Sequence, residues 1–160
     1  MFNFEKAFKL TKPFFKAVGQ NALKKHKAQI FDDGLNQDGK PFAEYSTSYK
    51  AFRRRKGKTT KPNLTLSGKL KNSFRHVKAF DDGFEYGINN PEMAERYEFQ
   101  NINKKRRKDG KFARRFVSTK KQPMTPQVQE MIMEQTQKQL ARQIAKEVRS
   151  KGFGVIIYKN

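Results

Sequence analysis

The stretch Phe74-Arg75-His76-Val77-Lys78-Ala79-Phe80-Asp81-Asp82-Gly83-Phe84-Glu85-Tyr86-Gly87-Ile88 decides the fold. Two short segments flank Asp81-Asp82-Gly83, turn chemistry that predicts a three-residue hairpin with Gly83 in the left-handed conformation. Phe84, Tyr86 and Ile88 share one face at period two while Glu85 and Gly87 take the other, the alternation of a half-buried antiparallel strand. Two strands alone are marginally stable, so the hairpin must pack on helices.

Helices are predicted on both sides of it. From Phe4 to Ile30, the residues Phe4, Phe8, Phe14, Phe15, Val18, Ala22 and Leu23 recur at the spacings of one helical face. Thr11, two residues before Pro13, suits an N-cap, so a break is expected near residues 10–13 and residues 1–12 form an arm or short helix. Asp32-Asp33-Gly34 stops the longer helix, and Gln37-Asp38-Gly39-Lys40-Pro41 opens a loop. Phe42, Tyr45, Tyr49 and Phe52 predict a short helical turn that Ser46, Thr47 and Ser48 weaken. Ser67, inside Leu64, Leu66 and Leu70, is placed to cap a brief turn running through Leu70 to Phe74.

Beyond the hairpin, Asn89-Asn90-Pro91-Glu92 reads as a turn into a short helix with Met93, Ala94 and Tyr97 on one side. Thr125-Pro126 matches an N-cap followed by proline in the first turn, and Val128, Met131, Ile132, Leu140, Ile144 and Val148 continue an apolar stripe. The spacing predicts a helix over about 126–150, roughly 37 Å long at 1.5 Å per residue. Gly152 and Gly154 end it, and Val155-Ile156-Ile157-Tyr158 reads as a strand in 151–160 that completes the hairpin's sheet or pairs with a neighbouring chain. The expected architecture is one α+β domain over 1–160: a small antiparallel sheet, from hairpin 74–88 and the C-terminal strand, packed with an N-terminal helix and a long C-terminal helix.

Composition limits what such a domain does. The 160 residues carry 36 Lys+Arg against 15 Asp+Glu, a net charge of +21 that repels itself in any compact state and calls for an acidic neighbour. Hydrophobic content is only 35%, yet 15 Phe are far too many for a disordered tail, so a modest Phe-rich core with long solvated loops is expected. With no Cys and only His26 and His76, disulfides and structural zinc are excluded. No apolar run approaches the roughly 20 residues of a membrane span, and Met1-Phe2-Asn3-Phe4-Glu5-Lys6 lacks a secretory pattern, so a cytoplasmic origin without membrane partners is expected.

Catalytic constellations are not evident. Asp32-Asp33 and Asp81-Asp82 each precede a glycine and read as turns rather than as metal or general-base pairs. Gly57-Lys58-Thr59 and Ser67-Gly68-Lys69 lack the full spacing and preceding strand of a phosphate loop. No enzyme activity, cofactor, metal or small-molecule substrate is expected. The charge instead concentrates in two predicted flexible loops. Loop 50–61 holds Arg53, Arg54, Arg55, Lys56 and Lys58; loop 104–121 holds Lys104, Lys105, Arg106, Arg107, Lys108, Arg114 and Arg115. Such loops suit phosphates or an acidic protein surface, with no base-specific readout indicated.

The order of these features resembles the phage virion morphogenesis and tail-completion proteins, the head-tail joining components of the virion neck. The similarity lies in Asp38-Gly39-Lys40-Pro41-Phe42 after a helix, a basic stretch, Leu66-Ser67-Gly68-Lys69-Leu70-Lys71-Asn72-Ser73, and then the hairpin. Ala94, Glu98 and Phe99 resemble a Tyr-Ala-x-x-x-Glu-Phe-Gly step, with Met93 in place of Tyr and Gln100 in place of Gly. Arg115-Phe116-Val117 is similar to an Arg-Pro-Phe-Leu element that has lost its proline, and the resemblance extends over roughly residues 20–150.

The resemblance implies an α+β subunit of a homo-oligomeric ring in the virion, of six or twelve copies, contacting portal or adaptor and tail proteins, with DNA passing through its bore. Six copies of a +21 chain would carry about +126 against the roughly 23 phosphates spanned by one subunit's width, so at least one basic loop is expected to dock on acidic neighbours. Mutual repulsion implies a monomer in the host cytoplasm that assembles only on a platform. Val155, Ile156, Ile157 and Tyr158 are the expected subunit contact. The competing reading is a sequence-nonspecific nucleic-acid-binding protein, ribosome-associated or DNA-compacting.

Overall fold

The computed structural model describes residues 8–65, 67–95 and 124–150. In chain order these are helix α1 (Lys12–Lys27), a π-helical turn (Ala28–Asp32), α2 (Thr47–Arg55), α3 (Lys69–Ser73), strands β1 (Phe74–Ala79) and β2 (Phe84–Ile88), and α4 (Pro126–Ser150). The fold is α+β, as the sequence predicts. The arm 1–7, loop 104–121 and the strand at 155–158 lie outside the described residues.

The hairpin is antiparallel, with Val77 opposite Tyr86 and Ala79 opposite Phe84. Its turn differs from expectation: it takes four residues, closed by Phe80 N–H donating to Gly83 O at 2.8 Å. Gly83 is not among the left-handed glycines. The register also shifts between Phe74 and His76. Strand side chains alternate sides, so Phe74 and Val77, three apart, would face opposite ways on a regular strand. The irregularity puts both on the side of α1, where Phe74 joins the core and Val77 meets Gly19.

Gly19 is what lets α1 lie so close. A Cβ there would stand 2.9 Å from both Phe84 Cδ2 and Val77 Cγ1. The helix then carries Leu23 and His26 to the hairpin and ends in the π-helical turn, which seats Ile30 and Phe31 beside Phe42 and Phe74 as the buried core. Phe31 and Phe74 meet edge to face at 5.7 Å, the arrangement their ring quadrupoles favour. Gly34 then turns the chain in the left-handed region (φ 71°), and Phe42 N–H returns to Gly34 O at 2.9 Å. The predicted turn around Asp38-Gly39 thus delivers Phe42 into the core.

Two helix starts work differently from the sequence reading. Thr11 precedes α1, with proline in its first turn, but its side chain makes no capping bond. Ser46, expected to weaken the following helix, instead starts it by accepting from Tyr49 N–H at 3.3 Å. Asn90 plays the same part before the helical residues 91–95, accepting from Met93 N–H at 3.1 Å and seating Met93 in the interior.

Helix α4 begins as expected, with Thr125 Oγ1 accepting from Val128 N–H at 3.3 Å and Val128 fully buried. It runs antiparallel to α1. Gln127 sits against Gly39, Asn21 donates to Gln135 at 3.2 Å, and Gln143 donates to Lys9 O at 2.8 Å.

Candidate binding surface

The first basic segment is not the flexible loop its composition predicts. Residues 47–55 form α2, whose last turn carries Arg53, Arg54 and Arg55 beside the helix's negative end. Arg53 leaves the set of surface contacts, because it is 1% exposed. Its Nε donates to Thr59 O at 2.6 Å, and its Nη2 to Thr65 O at 2.8 Å and to Asn63 Oδ1 at 3.3 Å. The guanidinium also lies over the Tyr45 ring, 5.0 Å from its centroid. A buried cation is tolerable only when its donors are used, and here backbone and amide oxygens of residues 59–65 use them.

The result is a strap over residues 53–65. Arg53 holds residues 59–65 from one side, while Tyr45 Oη accepts from Asn63 N–H at 3.2 Å and Asn63 Oδ1 accepts from Thr65 N–H at 3.1 Å. From the other side the strap lies on Gly34, where a Cβ would overlap the Pro62 carbonyl oxygen. Lys61 Nζ reaches Asp32 O at 3.4 Å. The remaining predicted contacts, Arg54, Arg55, Lys56 and Lys58, are all exposed on this fixed frame, and Lys61 joins them. No acidic residue occurs between Glu44 and Asp81 to offset them.

A second basic feature was not singled out from the sequence. An open cavity of about 600 Å³ lies between α1, α3 and β1, with Leu23, Phe74 and Val77 supplying its apolar lining. Lys24, Lys27, Lys71 and Arg75 bring four cations to it from three elements. Asp32 enters the same cavity and pairs with Lys71 at 2.5 Å. No periodicity of one element could reveal this convergence, because α1 and β1 are some fifty residues apart in sequence.

The other candidate groups resolve into structure. Gly57 (φ 62°) ends α2, and Gly68 (φ 80°) precedes the five-residue α3, so neither glycine-lysine fragment forms a phosphate cradle. Among the described residues no cluster of His, Asp and Glu could hold a metal ion, and no helix is long and apolar enough to cross a membrane. His26 is buried, with Nδ1 at 3.0 Å from Tyr86 Oη and its ring edge-on to Phe74 and Tyr86. Burial pushes the Tyr86 hydroxyl up to about 12, because the phenolate would lose its water. Lys104, Lys105, Arg106, Arg107, Lys108, Arg114 and Arg115 lie outside the described residues, as do Val155, Ile156, Ile157 and Tyr158.

This is a class of small α+β protein that displays fixed cations on a strap and a groove. No family model, curated protein or solved structure matches the chain.

Proposed function

We propose that this chain is a structural subunit of a tailed-phage virion neck, a head-tail joining or tail-completion ring protein that docks on acidic neighbouring rings through its basic surfaces. The observation that carries the reading is the strap. A chain that needed cations only for solubility would not bury an arginine to hold an acid-free segment in one shape. A fixed array of exposed Arg and Lys suits a partner of defined geometry, since preorganised groups lose less entropy on docking. The resemblance in motif order supplies the kind of partner, and two of its steps, the turn at Asp38-Gly39 and the Ser67-Gly68 step into the hairpin, are structural joints of the fold.

The competing reading, a nonspecific nucleic-acid binder, draws on the same cations, so the two are separated by titrating the protein with duplex DNA over a range of salt. A neck subunit binds free duplex weakly, worse than about 10 μM at physiological salt, within the nonspecific range. Binding tighter than about 1 μM, with a salt slope near −4 or steeper from the five exposed strap cations, would overturn the neck reading in favour of the binder.

A further inference from the structure

The cavity between α1, α3 and β1 has the chemistry of a socket for an acidic turn bearing an aromatic side chain. Its cations are only partly used. Lys71 is held by Asp32, and with its amide oriented to donate to Ser73 O (3.1 Å), Asn89 accepts from Arg75 Nε at 2.9 Å. Lys24 and Lys27 make no ion pair with any described residue. A +21 chain gains from bringing carboxylates to such a place.

The chain itself carries such a turn. Asp81 and Asp82 stand exposed at the tip of the hairpin and pair with no described cation, and Phe80 beside them is 38% exposed with Lys78 5.0 Å from its ring centroid. The Phe80 to Gly83 hydrogen bond fixes the turn's shape. This turn cannot serve its own socket. Arg75 and Asp81 are six residues apart along an extended strand, about 20 Å. Helix α1 moreover passes Phe84 and Val77 at Gly19 before reaching Phe74 and Tyr86 at His26, so Lys24 and Lys27 lie toward the end of the hairpin away from the tip.

We infer that the hairpin turn Phe80–Gly83 of one copy enters the α1–α3–β1 socket of the next, with Asp81 and Asp82 meeting Lys24 and Lys27 and Phe80 meeting the apolar lining. The contact is head to tail, since tip and socket are different surfaces, and head-to-tail contacts close into rings or run on as filaments. The inference rests on the ring reading above and names the subunit contact within it. That contact lies wholly in described residues, independent of the C-terminal segment. Two charge pairs at a half-exposed rim give a weak attraction against the whole-chain repulsion, so the free protein stays monomeric and closes only when held on a platform.

The absence of native cysteine makes the test direct. Gly83→Cys places a thiol in open space at the tip, and Gln20→Cys places one in the lining of the socket; both leave every charge intact. At low salt, mixed G83C and Q20C proteins should form the mixed disulfide at least about tenfold faster than either forms a homodimer. Adding D81K and D82K to the tip variant should abolish that excess, and adding K24E and K27E to the socket variant should restore it. A mixed pair no faster than the homodimers, or one indifferent to charge reversal, overturns the contact. In virions, the double variant should give a covalent ladder ending at the ring's copy number. The chain carrying both G83C and Q20C, present in virions at ring stoichiometry without such a ladder, would defeat this contact and leave the neck reading standing, with an acidic segment of an adjoining protein as the socket's occupant. Absence of the chain from virions together with the charge-dependent disulfide in solution would defeat the neck reading and leave the contact standing.

Discussion

The strap at residues 53–65 and the hairpin at residues 74–88 solve the same problem by opposite means. The hairpin is held by shape: Phe74, Val77 and Phe84 press on α1, and Gly19 allows the approach. The strap offers the core only Leu64, so most of its hold is polar: Arg53 donates to oxygens on Thr59, Asn63 and Thr65, and the Tyr45 hydroxyl accepts from Asn63 N–H. A basic segment can therefore be ordered without acids, if one arginine is given up to the interior and Leu64 reaches the core. Its neighbours Arg54 and Arg55 are then displayed, not merely solvated.

The comparison breaks most sharply at Gly34, which supports the strap from beneath. Gly34→Ala must adopt φ 71° and also push against the Pro62 carbonyl, so it should lower unfolding stability by about 4 kcal/mol, measured by urea denaturation. Next in size, Arg53→Met keeps much of the volume but takes the donor from the part-buried carbonyl oxygens of Thr59 and Thr65, and should cost about 3 kcal/mol; Arg54→Met should stay within about 0.5 kcal/mol. Equal effects of the two would show that Arg53 is not the anchor.

The hairpin also carries a pH response. The folded pKa of Tyr86, about 12, lies above the unfolded value of 10. The neutral phenol's contribution is full below pH 10 and is lost as pH rises from 10 through 12, by about 3 kcal/mol in all. Lysines titrate there too, so the informative quantity is the difference between wild type and Tyr86→Phe. The variant should be less stable by about 1 kcal/mol at neutral pH, from the lost bond to His26, and should fall less steeply above pH 10. A tyrosinate absorbance titration of the wild type should show a late-ionising tyrosine that Tyr86→Phe lacks.

The smallest effect is on surface binding. Arg54→Gln with Arg55→Gln should leave stability within about 0.5 kcal/mol and reduce the salt slope of whatever weak DNA binding exists by about 1.8, whereas Arg53→Lys should change stability and not the slope.

Periodic features were legible in the sequence. Hairpin, α1 and α4 announce themselves by spacing, and Thr125-Pro126 marks the start of α4 correctly. Features that depend on distant partners were not. Nothing within Arg53-Arg54-Arg55-Lys56 tells which cation is buried, because the oxygens that select Arg53 lie six to twelve residues later. The strand irregularity after Phe74 is likewise fixed by the demand of the core for both Phe74 and Val77, and Gly83 suggested a tighter turn than the four-residue one the strand register imposes. The socket draws its cations from α1, α3 and β1, a convergence visible only once those elements are packed.

The most direct test of the neck proposal is quantitative mass spectrometry of purified phage virions, measuring this chain's copy number relative to the portal before and after osmotic release of the DNA. The account predicts six or twelve copies, retained when the DNA leaves. Absence from virions, or loss together with the DNA, would contradict it.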